Sequence, residues 1–447
     1  MANRSPSWRE ILVLALPALG ALAAEPLYVL GDTAIVGHLG RVPLAGLALG
    51  GLLLSEIVGL CTFLEYGTTA KAARLYGAGE RDRAIDVGVQ ATWLALAFGG
   101  AIVVLLELAA GPAIRLLAGG ETQVYEQALS WFRIAAVGAP LMLVIAAGQG
   151  WLRAFQDTRT GFYILLASNL ASVLISLVLV GVAGFGIEGS AIANLVAQAA
   201  AAAVFGWLLV RRAPSLRPTL SGILPQLAAA RNLGVRSFAF AASFLVAAAV
   251  AARMGDAQLA AHQIGFQLWI FIALLLDSLA IAAQALIGGL LGAGDVKAAE
   301  ALARRLLLGG TAFGIAVGAV LAFGYSLVPA LFTGDGGVQA QAHVLWPWLI
   351  AMLPLAGGLF ALDGVFFGAG DLRFMRTMTL IAALGGFLPL TLAASHFGWG
   401  LNGIWAAITA FVSIRLVLAM LRWRSGRWLV GGTELVDEVA KAGTRPD

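Results

Sequence analysis

Twelve long, mostly apolar stretches recur along the 447-residue chain, and no other feature restricts its fold so severely. A helix needs about 20 such residues to cross the ~30 Å hydrocarbon core of a bilayer. The stretches lie at roughly 10–37, 43–70, 84–110, 125–152, 160–183 and 187–210, then at 232–254, 259–288, 302–331, 343–368, 374–396 and 401–422. They read as helices, because a membrane barrel would alternate apolar and polar residues. Hydrophobic residues make up 60% of the chain and charged residues 12%, whereas soluble domains carry about 25% charge. That excludes a soluble enzyme, and disorder or a coiled coil would need still more polarity. A single cysteine, Cys61, rules out an internal disulfide and a thiolate metal cluster.

The net charge of +4 does not indicate nucleic-acid binding, because the basic residues sit in short gaps between apolar stretches. With the N-terminus inside, the inward segments carry 24 of the 28 basic residues, among them Arg236 and Arg415. Arg41, Arg115, Arg133 and Arg253 face outward. Both termini are therefore expected in the cytoplasm of a cell with the chain in its inner, or plasma, membrane. Arg4 and Arg9 before an apolar run ending in Ala21-Leu22-Ala23 imitate a signal peptide, but the run continues to Val36, so a retained first helix is expected.

The chain is also duplicated. Residues 40–84 pair without a gap onto 255–299, and Leu75-Tyr-Gly-Ala-Gly79-Glu80 corresponds to Leu290-Leu-Gly-Ala-Gly294-Asp295. At an offset of 214, Pro140, Gly150 and Asp157 correspond to Pro354, Gly364 and Asp371. The predicted architecture is an all-α polytopic membrane protein of two pseudo-symmetric six-helix lobes. Residues 1–210 form the N-terminal lobe, 211–231 a basic cytoplasmic linker, 232–422 the C-terminal lobe and 423–447 a cytoplasmic tail. Six spans per copy give both copies the same orientation, and a duplicated bundle suits alternating access.

Several patterns imitate chemistry without its context. Gly184-Phe-Gly186-Ile-Glu-Gly189 has dinucleotide-loop spacing, yet the next acid after Glu188 is Asp256, far beyond the position that would hold a ribose. The same spacing returns at Gly398-Trp-Gly400-Leu-Asn-Gly403, so a tight helix-to-helix turn explains both copies. The four histidines are scattered, and no Walker A or Gly-x-Ser-x-Gly sequence is present. No catalytic residue, metal site or bound cofactor is predicted.

Carboxylates at span depth cost a few kcal/mol each on insertion scales, so each needs a reason. Glu25, Asp32, Glu56, Asp277 and Asp363 are the candidates, while Glu65 and Glu107 lie nearer span ends. Asp32 ranks first. It stands about 35 Å along the first helix from Arg9, and six residues beyond Pro26, where a missing backbone hydrogen bond favours a bend. That combination suits a proton acceptor on a helix with two shapes; hydrogen bonding by Thr33 or Asn169 in a purely packing role is the alternative.

The stretch from Glu25-Pro-Leu-Tyr-Val-Leu-Gly-Asp32 to His38-Leu-Gly40, after Leu16-Pro17, resembles the first helix of the multidrug and toxic compound extrusion family in its DinF-like branch. Trp151-Leu-Arg153-Ala-Phe-Gln156-Asp157, Ala261-His262-Gln263 and Phe360-Ala-Leu-Asp363-Gly are similar as well, and the resemblance covers all but the last ~20 residues. It implies a cation-coupled antiporter, with V-shaped lobes, that exports organic and often amphipathic or cationic compounds. Asp32 would be the proton-coupling residue, with Asn169, Ser172, Ser176 and Asn194 as its polar network. Ser176 stands where such proteins often carry a second acid, so the charge is too low to favour sodium and proton coupling is expected. Glu25, Glu56, Asp277 and Asp363 remain candidates for a substrate or second cation path. A sodium-coupled exporter of the same fold and a lipid-linked oligosaccharide flippase are the alternatives; the flippase would want a cationic cavity, while the charges inside these spans look mostly acidic. The expected partners are small organic molecules and the bilayer, with no nucleic acid, and the expected state is a monomer. Protons are the expected coupling species and Na⁺ the alternative.

Overall fold

The computed structural model describes residues 6–433. Arg4, and the part of the expected tail that holds Lys441 and Arg445, lie outside the described residues. Every regular element within them is helical. The spans are α1 (Trp8–Gly37), α2 (Arg41–Gly77), α3 (Arg81–Leu117), the two-part α4 (Thr122–Ala136 and Ala139–Ala154), α5 (Thr158–Val182) and α6 (Gly186–Val210). They continue as α7 (Leu220–Ala252), α8 (Asp256–Gly292), α9 (Val296–Phe323), α10 (Gly336–Ala369), α11 (Leu372–His396) and α12 (Gly400–Arg424). Eleven are long and apolar enough to cross a membrane, and α4 makes twelve if its halves, bent by 49°, form one span.

Local chemistry sets these boundaries. The bend in α4 falls just before Pro140, which has no amide N–H to carry the ladder through. Gly99 on α3 makes room there, since a Cβ on it would lie 2.3 Å from Pro140 Cα. The ninth stretch, expected over 302–331, ends at Phe323; Gly324 caps it and a separate short helix follows over Leu327–Phe332. The expected linker is shorter than 211–231, because α7 already begins at Leu220. Gln90 on α3 holds what remains, donating to the Arg217 carbonyl (3.0 Å) and accepting from the Thr219 amide (2.8 Å). The Trp93 indole donates to the Leu216 carbonyl at 2.8 Å.

The glycine motifs are turns. Gly184 and Gly186 take φ of +73° and +57°, and their counterparts Gly398 and Gly400 take +67° and +61°, a region L-residues rarely enter. Asp157 and Asp295 cap helices, accepting from the Thr160 and Ala298 amides, while Asp371 pairs with Arg422 at 2.7 Å.

The chain divides into two compact units, residues 16–230 and residues 231–432 with the start of α1 up to Ala15. Each repeats the other's packing. A Cβ on Gly150 of α4 would lie 2.7 Å from the Glu65 carbonyl oxygen of α2. A Cβ on Gly364 of α10 would lie 2.5 Å from the Ala280 carbonyl oxygen of α8, the matching pair in the second copy. Both glycines let two helices meet backbone to backbone.

Candidate functional site

Asp32 is 2% exposed near the C-terminal end of α1. Its two oxygens are held separately: Ser176 donates to Oδ1 at 2.9 Å and Ser190 to Oδ2 at 2.6 Å. Ser176 closes the regular part of α5, immediately before a wide π-type turn over Leu177–Val182. Such turns favour functional sites because they turn side chains off the regular helical stripe. Ser190 sits in the first turns of α6 and also accepts from the Trp131 indole of α4 at 3.2 Å. Two elements, α5 and α6, thus converge on α1 through hydroxyl groups, and α4 joins them through the Trp131 indole on Ser190. Asp32 makes no ion pair among the described residues, so hydrogen-bond dipoles alone meet its charge.

One turn before Asp32, Tyr28 lies beside it and beside Ser172. The Asn194 amide donates to the Tyr28 hydroxyl at 2.7 Å, and Gln198 donates to Asn194 at 2.8 Å. Ser172, Ser176 and Asn194 therefore gather around Asp32 and Tyr28. Asn169 is half-buried on α5 and makes no hydrogen bond among the described residues, and neither Asn169 nor Thr33 bonds to Asp32. Pro26 lies within the continuous helix α1. Ser190, Tyr28 and Trp131 are absent from the sequence-derived set. Ser190 follows a glycine turn that looked only structural, and its one signal was a hydroxyl one turn before Asn194.

The other acids separate into distinct environments. Glu25 and Glu56 are exposed, and Asp277 is half-buried on α8. Glu65, placed by the sequence nearer a span end, is paired with Arg153, whose side chain is 4% exposed. Glu107 stands 3.5 Å from Arg133. Asp363 on α10 is buried between two arginines: Arg415 of α12 and Arg236 of α7 reach its Oδ2 at 2.6 and 3.0 Å. This corrects two expectations. Arg236 and Arg415 are not flanking topology residues but members of a span-interior cluster, and buried charge in the C-terminal unit is not mainly acidic. Arg415 lies fifteen residues into a 25-residue helix, which was the available signal. Phe240 takes both guanidiniums on its ring, at 5.0 and 4.8 Å, contacts worth about 0.5–2 kcal/mol each.

The two buried sites do not share positions in the repeat. At offsets of 215 and 214, Asp32, Ser176 and Ser190 correspond to Ala247, Leu390 and Ile404, while Arg236, Asp363 and Arg415 correspond to Ala21, Gln149 and Ala201. Each of these two sites is confined to one unit, and the other unit fills the same positions with aliphatic residues or glutamine.

Comparison with known proteins places the chain in a family. The MatE family profile matches residues 17–178 and 233–392, one match in each half. The chain is 31% identical over 434 residues to Protein DETOXIFICATION 44, chloroplastic, of Arabidopsis thaliana, covering 94% of this chain and 83% of that one. It is 30% identical over 444 residues to DNA damage-inducible protein F of Escherichia coli (strain K12), covering 96% and 95%. A multidrug resistance MATE family transporter of the MOP superfamily, solved in an outward-facing conformation, shares the fold with a TM-score of 0.83 at 21% identity, covering 97% of this chain and 96% of that one. The chain belongs to the MatE family and is a multi-pass multidrug and toxic compound extrusion transporter, not an enzyme.

Proposed function

We propose that the chain is a proton-coupled antiporter that exports amphipathic, often cationic, organic compounds, and that Asp32 carries the coupling proton. One contrast supports this reading most. Of the two fully buried acids among the described residues, Asp363 is held by two arginines, whereas Asp32 has only hydroxyl partners. A carboxylate already neutralised by fixed cations has little left to exchange; one held by dipoles can take up and release a proton without leaving an unpaired charge behind.

Ionised Asp32 accepts from Ser176 and Ser190. Once protonated, one of its oxygens carries an O–H and must donate, so a serine that was donating has to turn and accept. Ser190 already accepts from Trp131, so the change reaches α4 as well as α5 and α6. The altered bonds favour a different seating of α1, and Pro26, six residues earlier, provides the position at which α1 can bend. One proton crossing ~100 mV contributes about 2.3 kcal/mol, to which a pH gradient adds. The basic-residue distribution supports cytoplasmic termini and an inner-membrane location, and a monomer suffices because each unit encloses its own polar site.

The test is efflux from proteoliposomes with pH and Na⁺ gradients imposed separately. A pH gradient alone should drive export of a cationic dye, and Asp32→Asn should lower that export at least about tenfold. Export driven by Na⁺ alone would assign the coupling to sodium, and undiminished export by the variant would remove Asp32 from the mechanism.

A further inference from the structure

The Arg236–Asp363–Arg415 cluster has no part in that coupling step, and its chemistry is that of an anion receptor. Both arginines use one Nη2 on the same oxygen, Asp363 Oδ2, which leaves the group with a formal charge of +1. The Nε atoms of Arg236 and Arg415 are buried without an acceptor among the described residues, and Asp363 Oδ1 is buried without a donor, so the cluster has two unmet N–H donors to one unmet acceptor. Stacking on Phe240, with Phe367 beside Arg236 and Phe411 beside Arg415, satisfies the guanidinium faces. It offers nothing to the N–H groups, which point outward in the guanidinium plane.

The cluster is not a requirement of the helical repeat, because Ala21, Gln149 and Ala201 occupy the equivalent positions in the other half. Arg415 and Asp363 are fully buried while Arg236 is half-buried, so Arg236 on α7 is the most exposed member of the cluster. A compact anion there would balance the charge and accept from in-plane N–H donors, the geometry in which arginine recognises carboxylates.

We propose that this cluster binds a compact monovalent anionic group, either a halide ion or the carboxylate of an exported compound. The carboxylate source rests on the efflux reading above; the site itself does not.

The experiment uses the full-length protein in detergent, in a HEPES buffer free of halide and carboxylate, with thermal unfolding followed during titration with chloride or acetate at constant ionic strength. Wild type should show a saturable rise in melting temperature. Arg236→Gln, which leaves a neutral one-to-one pair, should lose the saturable response, whereas Asp363→Asn, which raises the cluster charge, should lower the half-saturating concentration at least about tenfold. A response to acetate assigns the site to carboxylates and a response to chloride alone assigns it to halides. Asp32→Asn should retain the response, so the coupling reading and this one fail separately. Equal, unsaturable shifts in wild type and Arg236→Gln would overturn the proposal. If Arg236→Gln does not fold, an unchanged half-saturation in Asp363→Asn does the same.

Discussion

The two oxygens of Asp32 are not equivalent, and the difference lies in Ser190. Ser176 only donates to Oδ1, while Ser190 donates to Oδ2 at the shorter distance of 2.6 Å and accepts from Trp131. Hydrogen bonds to charged groups contribute about 1.5–3 kcal/mol each. Ser190→Ala should therefore reduce pH-driven dye export more than Ser176→Ala, because it also leaves the Trp131 indole without its acceptor. Neither change alone should match Asp32→Asn, but the double substitution should approach it. Initial efflux rates of the four variants check this, and equal effects of the two serines would show that the Trp131 link is irrelevant. The sequence singles out Asp32 because a carboxylate deep in an apolar run needs a reason. It does not single out Ser190, because a serine costs little in a helix and its partner lies 158 residues away. Arg236 and Arg415 are harder still, since arginine near an apolar segment is the ordinary mark of a span end, and only the fold brings both onto Asp363.

The helices that carry these groups are held by close backbone approaches as well as by side chains. Gly364→Ala would place a Cβ 2.5 Å from the Ala280 carbonyl oxygen and 2.7 Å from Ala280 Cα. Backbone cannot give way as a side-chain tip can, so α8 and α10 must separate, at a cost of about 1–3 kcal/mol. Gly206→Ala in α6 is the control: no atom lies within 4 Å of its Cβ, and the change should stabilise by up to ~1 kcal/mol. Thermal melts of the two variants in detergent should shift in opposite directions. At this scale the sequence is most legible, because runs of some twenty apolar residues leave a helix few alternatives. It is least legible where termination depends on a partner. The bend at Pro140 needs Gly99 opposite it, and α7 starts at Leu220 among prolines where Gln90 on another helix fixes the preceding turn.

For the whole molecule, the joint between the halves is where orientation and dynamics can be read together. Residues 211–219 connect α6 to α7, and Trp93 and Gln90 tie their latter part to α3 through the carbonyls of Leu216 and Arg217 and the amide of Thr219. The tether is therefore restrained rather than free. Trypsin has its sites in this segment after Arg211 and Arg212, since Pro218 blocks cleavage after Arg217. With cytoplasmic termini, trypsin added to inside-out vesicles should cut here and leave two large fragments, while right-side-out vesicles should keep this joint intact. The variant Gln90→Ala with Trp93→Phe removes the side-chain bonds to the strap without touching either polar site. It should speed cleavage several-fold on the inside-out face, because proteolysis follows the population of the locally open state. Cutting from the opposite face would reverse the topology, and an unchanged rate in the variant would mean that the strap bonds do not restrain the joint.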